Sequence, residues 1–119
     1  MPLEGYGAKF VEAADQCEMD WRLLPAIAVR ESSGGKQACG NNPFGWTSCR
    51  ADFESIEEAI EIVGANLCGF NQRTARYYGG KNTLQKLHSY NGTVNPNYPA
   101  EVMEFIESFR FLFCIVKSI

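Results

Sequence analysis

Apolar residues in the first third of the chain recur at helical spacing. A first helix is predicted over about residues 8–18, with an apolar face made of Phe10, Val11, Ala14 and Cys17. A second helix is predicted to begin near Asp20, a suitable N-cap residue, or somewhat later because Pro25 disturbs the early turns. The stripe of this second helix consists of Leu24, Ile27, Ala28 and Glu31. A glutamate therefore occupies the last position of an otherwise apolar stripe.

The middle of the chain carries the most regular helical pattern. Ser55 and Glu58 have the spacing of a capping box, and Gly69 is placed to end the helix. The apolar face between these signals consists of Ile56, Ala59, Ile60, Val63 and Leu67. The pattern predicts a helix between Ser55 and Gly69.

The last third of the chain contains three shorter helical patterns. Helices are predicted over residues 72–78 and 83–88, the second of them started by Asn82. Pro99 suits the first position of a last helix. The core face of that helix consists of Val102, Ile106, Phe109 and Phe113. No segment alternates apolar and polar residues over a useful length, so we predict a mainly α fold.

Size and charge fit one compact domain without a nucleic-acid partner. The chain has 119 residues, 45% of them hydrophobic, and we treat residues 1–119 as a single domain and expect a monomer. The 11 basic and 14 acidic residues give a net charge of -3, without a basic cluster to track a phosphate backbone. No apolar run approaches the roughly 18 residues of a membrane span, and the N-terminus lacks a signal-peptide pattern. We expect no metal or cofactor, and export would depend on a removed signal or another route.

Five cysteines are many for a short cytosolic chain, and none of them forms a C-x-x-C pair typical of zinc or redox motifs. Cys39 and Cys49 bracket a turn-rich loop that has little to fix it except a crosslink or a bound ligand. Two interpretations remain open: either this pair forms a disulfide, or both cysteines are ordinary buried thiols. Because five is odd, we expect at least one of Cys17, Cys68 and Cys114 to stay unpaired or to pair between chains.

Glu31 combines an apolar helix face with a position near the C-terminal end of its helix. Desolvation and the negative end of the helix dipole both disfavour a charged carboxylate there. A carboxylic acid that stays neutral near neutral pH can protonate a leaving oxygen, as glycosidases require. Periodicity alone favours the alternative, a helix-end glutamate that turns into solvent.

Several segments carry a resemblance to a known superfamily. AIAVRESSGGK resembles the stretch of lysozyme-superfamily peptidoglycan hydrolases in which the acid glutamate ends a core helix and a glycine-bearing loop follows. Within it, Glu31, Ser32, Gly35 and Lys36 match the bacterial glucosaminidase pattern. NNPFGW resembles the asparagine-asparagine-x-phenylalanine-glycine stretch of that group, and FESIEEAI resembles its aromatic-x-serine helix start. The resemblance spans about residues 5–108.

Two later segments resemble a neighbouring group of the same superfamily. SYNG and NYPAEV are similar to the tyrosine-asparagine motif and the closing helix of goose-type lysozymes and lytic transglycosylases. The glycine-leucine-methionine-glutamine stretch of many lytic transglycosylases is absent, and NPFGW stands in its region. That departure favours the glucosaminidase group, whereas YNG leans toward the transglycosylases.

The resemblance implies a single-domain lysozyme-like helical fold with a catalytic cleft. It implies cleavage of β-1,4 bonds between N-acetylated sugars of peptidoglycan or a chitin-like glycan. Hydrolysis is favoured over the lytic transglycosylase route to 1,6-anhydromuramic products. The competing class is a non-catalytic glycan-binding or structural module. The expected location is extracellular, periplasmic, or associated with a phage or secretion apparatus.

The resemblance also implies roles for individual residues. Glu31 would be the general acid, and Tyr90 would hydrogen-bond near the reacting sugar or orient Glu31, unless it is simply a half-buried tyrosine. Asn91 would bind an N-acetyl group or make the turn before a glycine. Phe44 and Trp46 could line the groove, because sugar rings have apolar faces that pack on aromatic rings. Core packing is favoured for Phe44 and is an equal alternative for Trp46.

Three further residues complete the predicted site. Ser32 could hydrogen-bond at the cleft or cap the helix end. Asp52 and Glu54 are the candidates for a second carboxylate in a two-acid mechanism. If neither faces the cleft, the substrate's own N-acetyl oxygen can attack the anomeric carbon, and one acid suffices.

Overall fold

The structure is a computed structural model that describes residues 2–108. Its α-helices are α1 Gly7–Asp15, α2 Leu23–Ser32, α3 Ile56–Leu67, α4 Ala75–Tyr78, α5 Thr83–Leu87 and α6 Tyr98–Glu107. A short 3-10 turn, Trp46–Cys49, lies between α2 and α3, and a π-helical turn, His88–Gly92, follows α5. Residues 2–108 contain no strand beyond one isolated bridge, so the predicted mainly α fold is confirmed.

Helix α1 is shorter than its sequence pattern. It ends at Asp15, and Glu18 takes a left-handed conformation in the turn that follows. Cys17 therefore lies beyond the helix, where it forms a disulfide with Cys68 at the end of α3. Of the three cysteines of which at least one was expected to stay unpaired or to pair between chains, Cys17 and Cys68 pair with each other, and Cys114 lies outside the described residues.

Helix α2 is the central helix of the fold and begins at Leu23, the later of the two predicted starts. Asp20 does not cap it, because its carboxylate accepts hydrogen bonds from the backbone and the guanidinium of Arg22. Pro25 is the third residue of the helix, where a backbone N–H would have no partner within the helix, so its ring is tolerated. Three consecutive residues of α2, Ala26, Ile27 and Ala28, are completely buried.

Helix α3 follows its local signals closely. The Ser55 hydroxyl accepts a hydrogen bond from the Glu58 amide at 3.0 Å and so caps the N-terminus. A side chain at Gly64 would lie 3.2 Å from the Cβ of Ala13, so the glycine lets α3 approach α1 closely. The predicted helix over 72–78 begins only at Ala75, because Thr74 instead donates a hydrogen bond to the side chain of Asn66 in α3.

The C-terminal ends of α3 and α4 share one unusual cap. Lys86 of α5 is buried, and its Nζ donates hydrogen bonds to the carbonyl oxygens of Leu67 and Tyr78. These carbonyls belong to the last turns of α3 and α4, which otherwise lack helical partners. Burial lowers the pKa of Lys86. The lysine therefore links α5 to the ends of α3 and α4.

The last helix begins one residue before its sequence signal. Tyr98 is the first residue of α6 and Pro99 the second. Val102 and Ile106 are buried as predicted, whereas Phe109 and Phe113 lie outside the described residues. No helix among residues 2–108 is long and apolar enough to cross a membrane.

Removal of the Cys17–Cys68 bond should lower stability more than removal of the other disulfide, Cys39–Cys49. The two bonds close loops with sequence separations of 51 and 10 residues. In the chain-entropy treatment, alanine at both positions of each pair lowers the free energy of unfolding by about 4 and about 2.8 kcal/mol, respectively. Urea unfolding monitored by circular dichroism measures both values. A reversed order would contradict the loop-length argument.

Candidate active site

A cleft of about 470 Å³ opens where the end of α2 meets the following loop and the π-helical turn. Its wall is formed by Glu31, Ser32, Gln37, Cys39, Asn42, Gly45, Trp46, Thr47, Ser48, Cys49, Tyr90 and Asn91. The volume lies in the range of sites for small molecules or a few sugar rings. Of these wall residues, Glu31 alone carries a carboxylate.

Glu31 lies in the last turn of α2 and is half-buried. The backbone of Gly45 approaches its carboxylate so closely that a Cβ at Gly45 would lie 2.9 Å from Glu31 Oε1. Gly45 also has a φ of +62°, which glycine adopts without strain. The loop therefore contacts the carboxylate through bare backbone, and a side chain at position 45 would displace one of them.

The stretch after Glu31 turns the chain sharply away from α2. Ser33, Gly34 and Gly35 have positive φ values of 53°, 71° and 97°. Two glycines suit this conformation because they have no Cβ to clash. The serine-serine-glycine-glycine sequence thus ends the helix immediately behind Glu31 and leaves the glutamate at the cleft wall.

Ser32 holds the loop to the helix. Its hydroxyl donates to the carbonyl oxygen of Pro43 at 2.6 Å, with the carbonyl of Ala28 3.0 Å away, and accepts from the amide of Gly35 at 3.1 Å. Ser32 is only 2% exposed. Of the two predicted roles, hydrogen bonding within the protein at the helix end therefore accounts for this hydroxyl.

Asn42 fixes the shape of the NNPFGW loop and was not singled out by the sequence. It is 1% exposed, and its amide donates to the carbonyls of Trp46 and Ala51 at 2.9 and 3.3 Å. Its carbonyl oxygen accepts from the Trp46 amide at 3.1 Å. The paired asparagines of the motif were the available signal, since asparagine side chains commonly hydrogen-bond nearby backbone in turns.

The rim of the cleft has a strained backbone closed by a disulfide. Thr47, Ser48 and Cys49 are consecutive residues with φ values of 54°, 55° and 66°, a region that costs about 1 kcal/mol for each non-glycine residue. Cys49 is bonded to Cys39, and both cysteines line the cleft. Such strain persists only where surrounding contacts hold it in place.

Tyr90 lies on the cleft wall and is connected to the backbone of Phe44. Phe44 is 0% exposed and packs edge-on against Phe10, so it occupies the core, the alternative favoured for it, and not the wall of the groove. Its side chain points inward while its carbonyl oxygen accepts a 2.7 Å hydrogen bond from the Tyr90 hydroxyl. The ring of Trp46, half-buried on the cleft wall, lies 5.6 Å from that of Tyr90. Tyr90 thus supports Trp46 and the loop.

Tyr98 is the site residue that the sequence analysis missed. It is completely buried, and its ring stacks on that of Tyr90 with centroids 6.2 Å apart. Its hydroxyl makes no hydrogen bond of good geometry with any described residue, but the Glu31 carboxylate lies close enough to interact with it. Burial and the nearby Glu31 carboxylate raise its pKa. The guanidinium of Arg30 lies over the Tyr98 ring, 5.5 Å from its centroid. The Nε of Arg30 is paired with Oε2 of Glu101 at 2.6 Å. The NYPAEV segment, which contains Tyr98, was the sequence signal that could have identified this residue.

The predicted second carboxylates do not reach the cleft. Asp52 and Glu54 are exposed and are not among the residues of the cleft wall. Phe53, which lies between them in the chain, is buried. Asn91 lies on the cleft wall. Within residues 2–108 no group of three or more His, Cys, Asp or Glu side chains could hold a metal ion.

Replacement of Tyr98 and of Tyr90 by phenylalanine should change stability in opposite directions. A buried hydroxyl without a partner costs about 1 to 3 kcal/mol, so Tyr98→Phe should raise the free energy of unfolding by about 1 kcal/mol. Tyr90→Phe removes a hydrogen bond to the Phe44 carbonyl and should lower it by about 1 kcal/mol. Urea titration of both variants measures the difference. A Tyr98→Phe variant as unstable as Tyr90→Phe would mean that the Tyr98 hydroxyl is paired.

Comparison with known proteins gives a fold likeness. No family model matches the sequence, and no curated protein matches it. The chain is similar in structure to a C-terminally truncated glycoside hydrolase domain from Salmonella typhimurium FlgJ, with a TM-score of 0.61 and 18% sequence identity. The match covers 87% of this chain and 92% of that one. At this identity the likeness concerns the fold alone, and the chain folds like a glycoside hydrolase domain.

Proposed function

We propose that this protein cleaves β-1,4 bonds between N-acetylated sugars of peptidoglycan, with Glu31 as the general acid. The observation that carries the proposal is the position of Glu31, a half-buried carboxylate at the end of a core helix and on the wall of a cleft. The likeness of the fold to a glycoside hydrolase domain supports the reaction class. The resemblance of the RESSGG and NNPFGW segments to peptidoglycan hydrolases supports the substrate class.

In the first step, the Glu31 carboxyl transfers its proton to the glycosidic oxygen, and the bond to the anomeric carbon breaks. The step leaves a carboxylate on Glu31 and positive charge on the sugar. The Tyr98 hydroxyl keeps its proton to high pH because it is buried and lies near Glu31. It is therefore a donor available to the new carboxylate, which needs a hydrogen bond more than the neutral acid does.

The rest of the wall suits an uncharged sugar. Trp46 presents a partly exposed ring to the cleft, on which the apolar face of a sugar ring can pack. Gln37, Thr47, Ser48 and Asn91 add neutral donors and acceptors of the kind that bind hydroxyl and acetamido groups. Tyr90 contributes indirectly, since its hydroxyl and ring hold the loop that carries Trp46.

The single carboxylate of the wall supports a mechanism in which the substrate supplies the second group. The N-acetyl oxygen of the sugar can attack the anomeric carbon, and water then completes hydrolysis. In a transglycosylase, the 6-hydroxyl of muramic acid attacks instead, with Glu31 as the base. The polar, exposed rim at Thr47 and Ser48 gives water access to the cleft, which favours hydrolysis.

Two disulfides support a location outside the reducing cytosol. Cys17–Cys68 and Cys39–Cys49 would not persist where thiol reductants are abundant. An extracellular or periplasmic site, where peptidoglycan is also accessible, fits both features.

Replacement of Glu31 by glutamine should abolish most activity with little change in stability. Glu31→Gln keeps the shape of the side chain but removes the transferable proton, so turnover of purified peptidoglycan should fall by at least about a hundredfold. Zymography and release of soluble muropeptides measure the loss, and thermal melting checks the fold. Turnover comparable with that of the wild type would refute the assignment.

A matched control uses the exposed acids that do not reach the cleft. The double variant Asp52→Asn/Glu54→Gln removes two charges from the loop before α3 and should keep activity within about twofold of the wild type, since the groups do not contact the cleft. A loss equal to that of Glu31→Gln would restore the two-carboxylate scheme. Glycan binding without turnover by the wild type would point to a binding module instead.

The mass of the products should distinguish hydrolysis from transglycosylation. Hydrolysis leaves a reducing sugar, which borohydride converts to the alditol. Internal attack by the 6-hydroxyl leaves an anhydro sugar that is one water lighter and resists reduction. We expect reducible products, and mass spectrometry of the digest with and without borohydride makes the distinction. Anhydro products would overturn hydrolysis but leave the role of Glu31 as acid intact.

A further inference from the structure

One wall of the cleft contains a disulfide that the proposed acid catalysis does not use. Cys39 and Cys49 are both exposed residues and line the same cleft as Glu31. The bond joins the segment that leaves α2 to the far side of the rim. Its reaction with a thiol would therefore act directly on the surface that holds the glycan.

The disulfide holds a segment whose two ends are fixed independently. The side chain of Asn42 hydrogen-bonds the backbone of Trp46 on one side of the rim and of Ala51 on the other. Between these points, Thr47, Ser48 and Cys49 occupy the left-handed region. Non-glycine residues leave this region when they are released. Breakage of the bond would let the rim relax while Trp46 stays anchored.

The other disulfide is shielded by comparison. Cys68 is 8% exposed and Cys17 is half-buried, where α1 packs against α3. Thiol–disulfide exchange needs a line of attack on a sulfur atom, so access decides which bond reacts first. The two pairs in one chain thus form an internal comparison between an accessible and a protected disulfide.

We propose that the Cys39–Cys49 bond is a thiol–disulfide exchange site for dithiols, and that its reduction weakens glycan binding in the cleft. A thiolate of the dithiol attacks one sulfur, a mixed disulfide forms, and the second thiolate displaces the cysteine. The dithiol is oxidised to its disulfide, and the two cysteines gain two electrons and two protons as thiols. The part concerning glycan rests on the proposed function, whereas the order of reduction does not.

Thiol trapping tests the exchange site. The full chain is incubated with graded dithiothreitol, quenched with acid, alkylated and digested, and the label on each cysteine is measured by mass spectrometry. We expect Cys39 and Cys49 to be half-labelled at a concentration at least about tenfold lower than Cys17 and Cys68, because access limits the attack. Simultaneous labelling of both pairs, or earlier labelling of the protected pair, would overturn the exchange site.

Measurements of glycan affinity test whether reduction of the Cys39–Cys49 bond weakens binding. Binding of tri-N-acetylchitotriose is followed by the fluorescence of Trp46 in a Trp21→Phe background, before and after selective reduction. Affinity should fall by at least about fivefold, while far-UV circular dichroism is unchanged, because the rim relaxes locally. The variant Cys39→Ser/Cys49→Ser should bind as the reduced protein does and ignore dithiothreitol. The variant Cys17→Ala/Cys68→Ala should keep the response.

The outcomes separate this proposal from the proposed function. Unchanged affinity after full reduction of the cleft pair would overturn the effect on binding. A redox-dependent affinity in a wild type that does not cleave peptidoglycan would uphold the exchange site and refute the proposed reaction. Reoxidation should restore the affinity, and failure to do so with both bonds re-formed would contradict control by this bond.

Discussion

The site depends on one close approach, between the end of α2 and the loop that follows it. Gly45 lies against the Glu31 carboxylate with no space for a side chain. The Ser32 hydroxyl fastens the same loop to the helix through the Pro43 carbonyl. Because the carboxylate and the loop beside it both lie within residues 31–45, the immediate surroundings of Glu31 depend on contacts between residues that are close in the chain.

A row of aromatic rings from distant parts of the chain lies next to this loop. The ring of Trp46 contacts that of Tyr90, the ring of Tyr90 stacks on that of Tyr98, and Arg30, paired with Glu101, lies over the ring of Tyr98. The Tyr90 hydroxyl also donates a hydrogen bond to the loop backbone, so the loop is joined to the π-helical turn by a hydrogen bond as well as by ring contacts. Movement of α6 against α2 would therefore change the surroundings of Glu31, because Arg30 and Glu31 are neighbours on one helix.

The sequence predicts those features that depend on neighbouring residues. Ser55, Asn82 and Pro99 are local signals, and α3, α5 and α6 begin at or within one residue of the predicted places. Asp20 failed as a cap because the guanidinium of Arg22 competes for its carboxylate. The place of Tyr98 beside Glu31 follows from packing between helices that are far apart in the chain, and no local pattern contains that information.

The exposed positions of Asp52 and Glu54 also bear on the proposed mechanism. Phe53 is buried, whereas the acids on either side of it in the chain are exposed. This arrangement hides an apolar ring and leaves both carboxylates in water, where no desolvation cost arises. The cleft wall among the described residues therefore carries Glu31 as its one carboxylate, with the hydroxyl of the buried Tyr98 close to it. In the proposed reaction, a carboxylate formed at Glu31 by proton transfer would gain more from this donor than the neutral acid does.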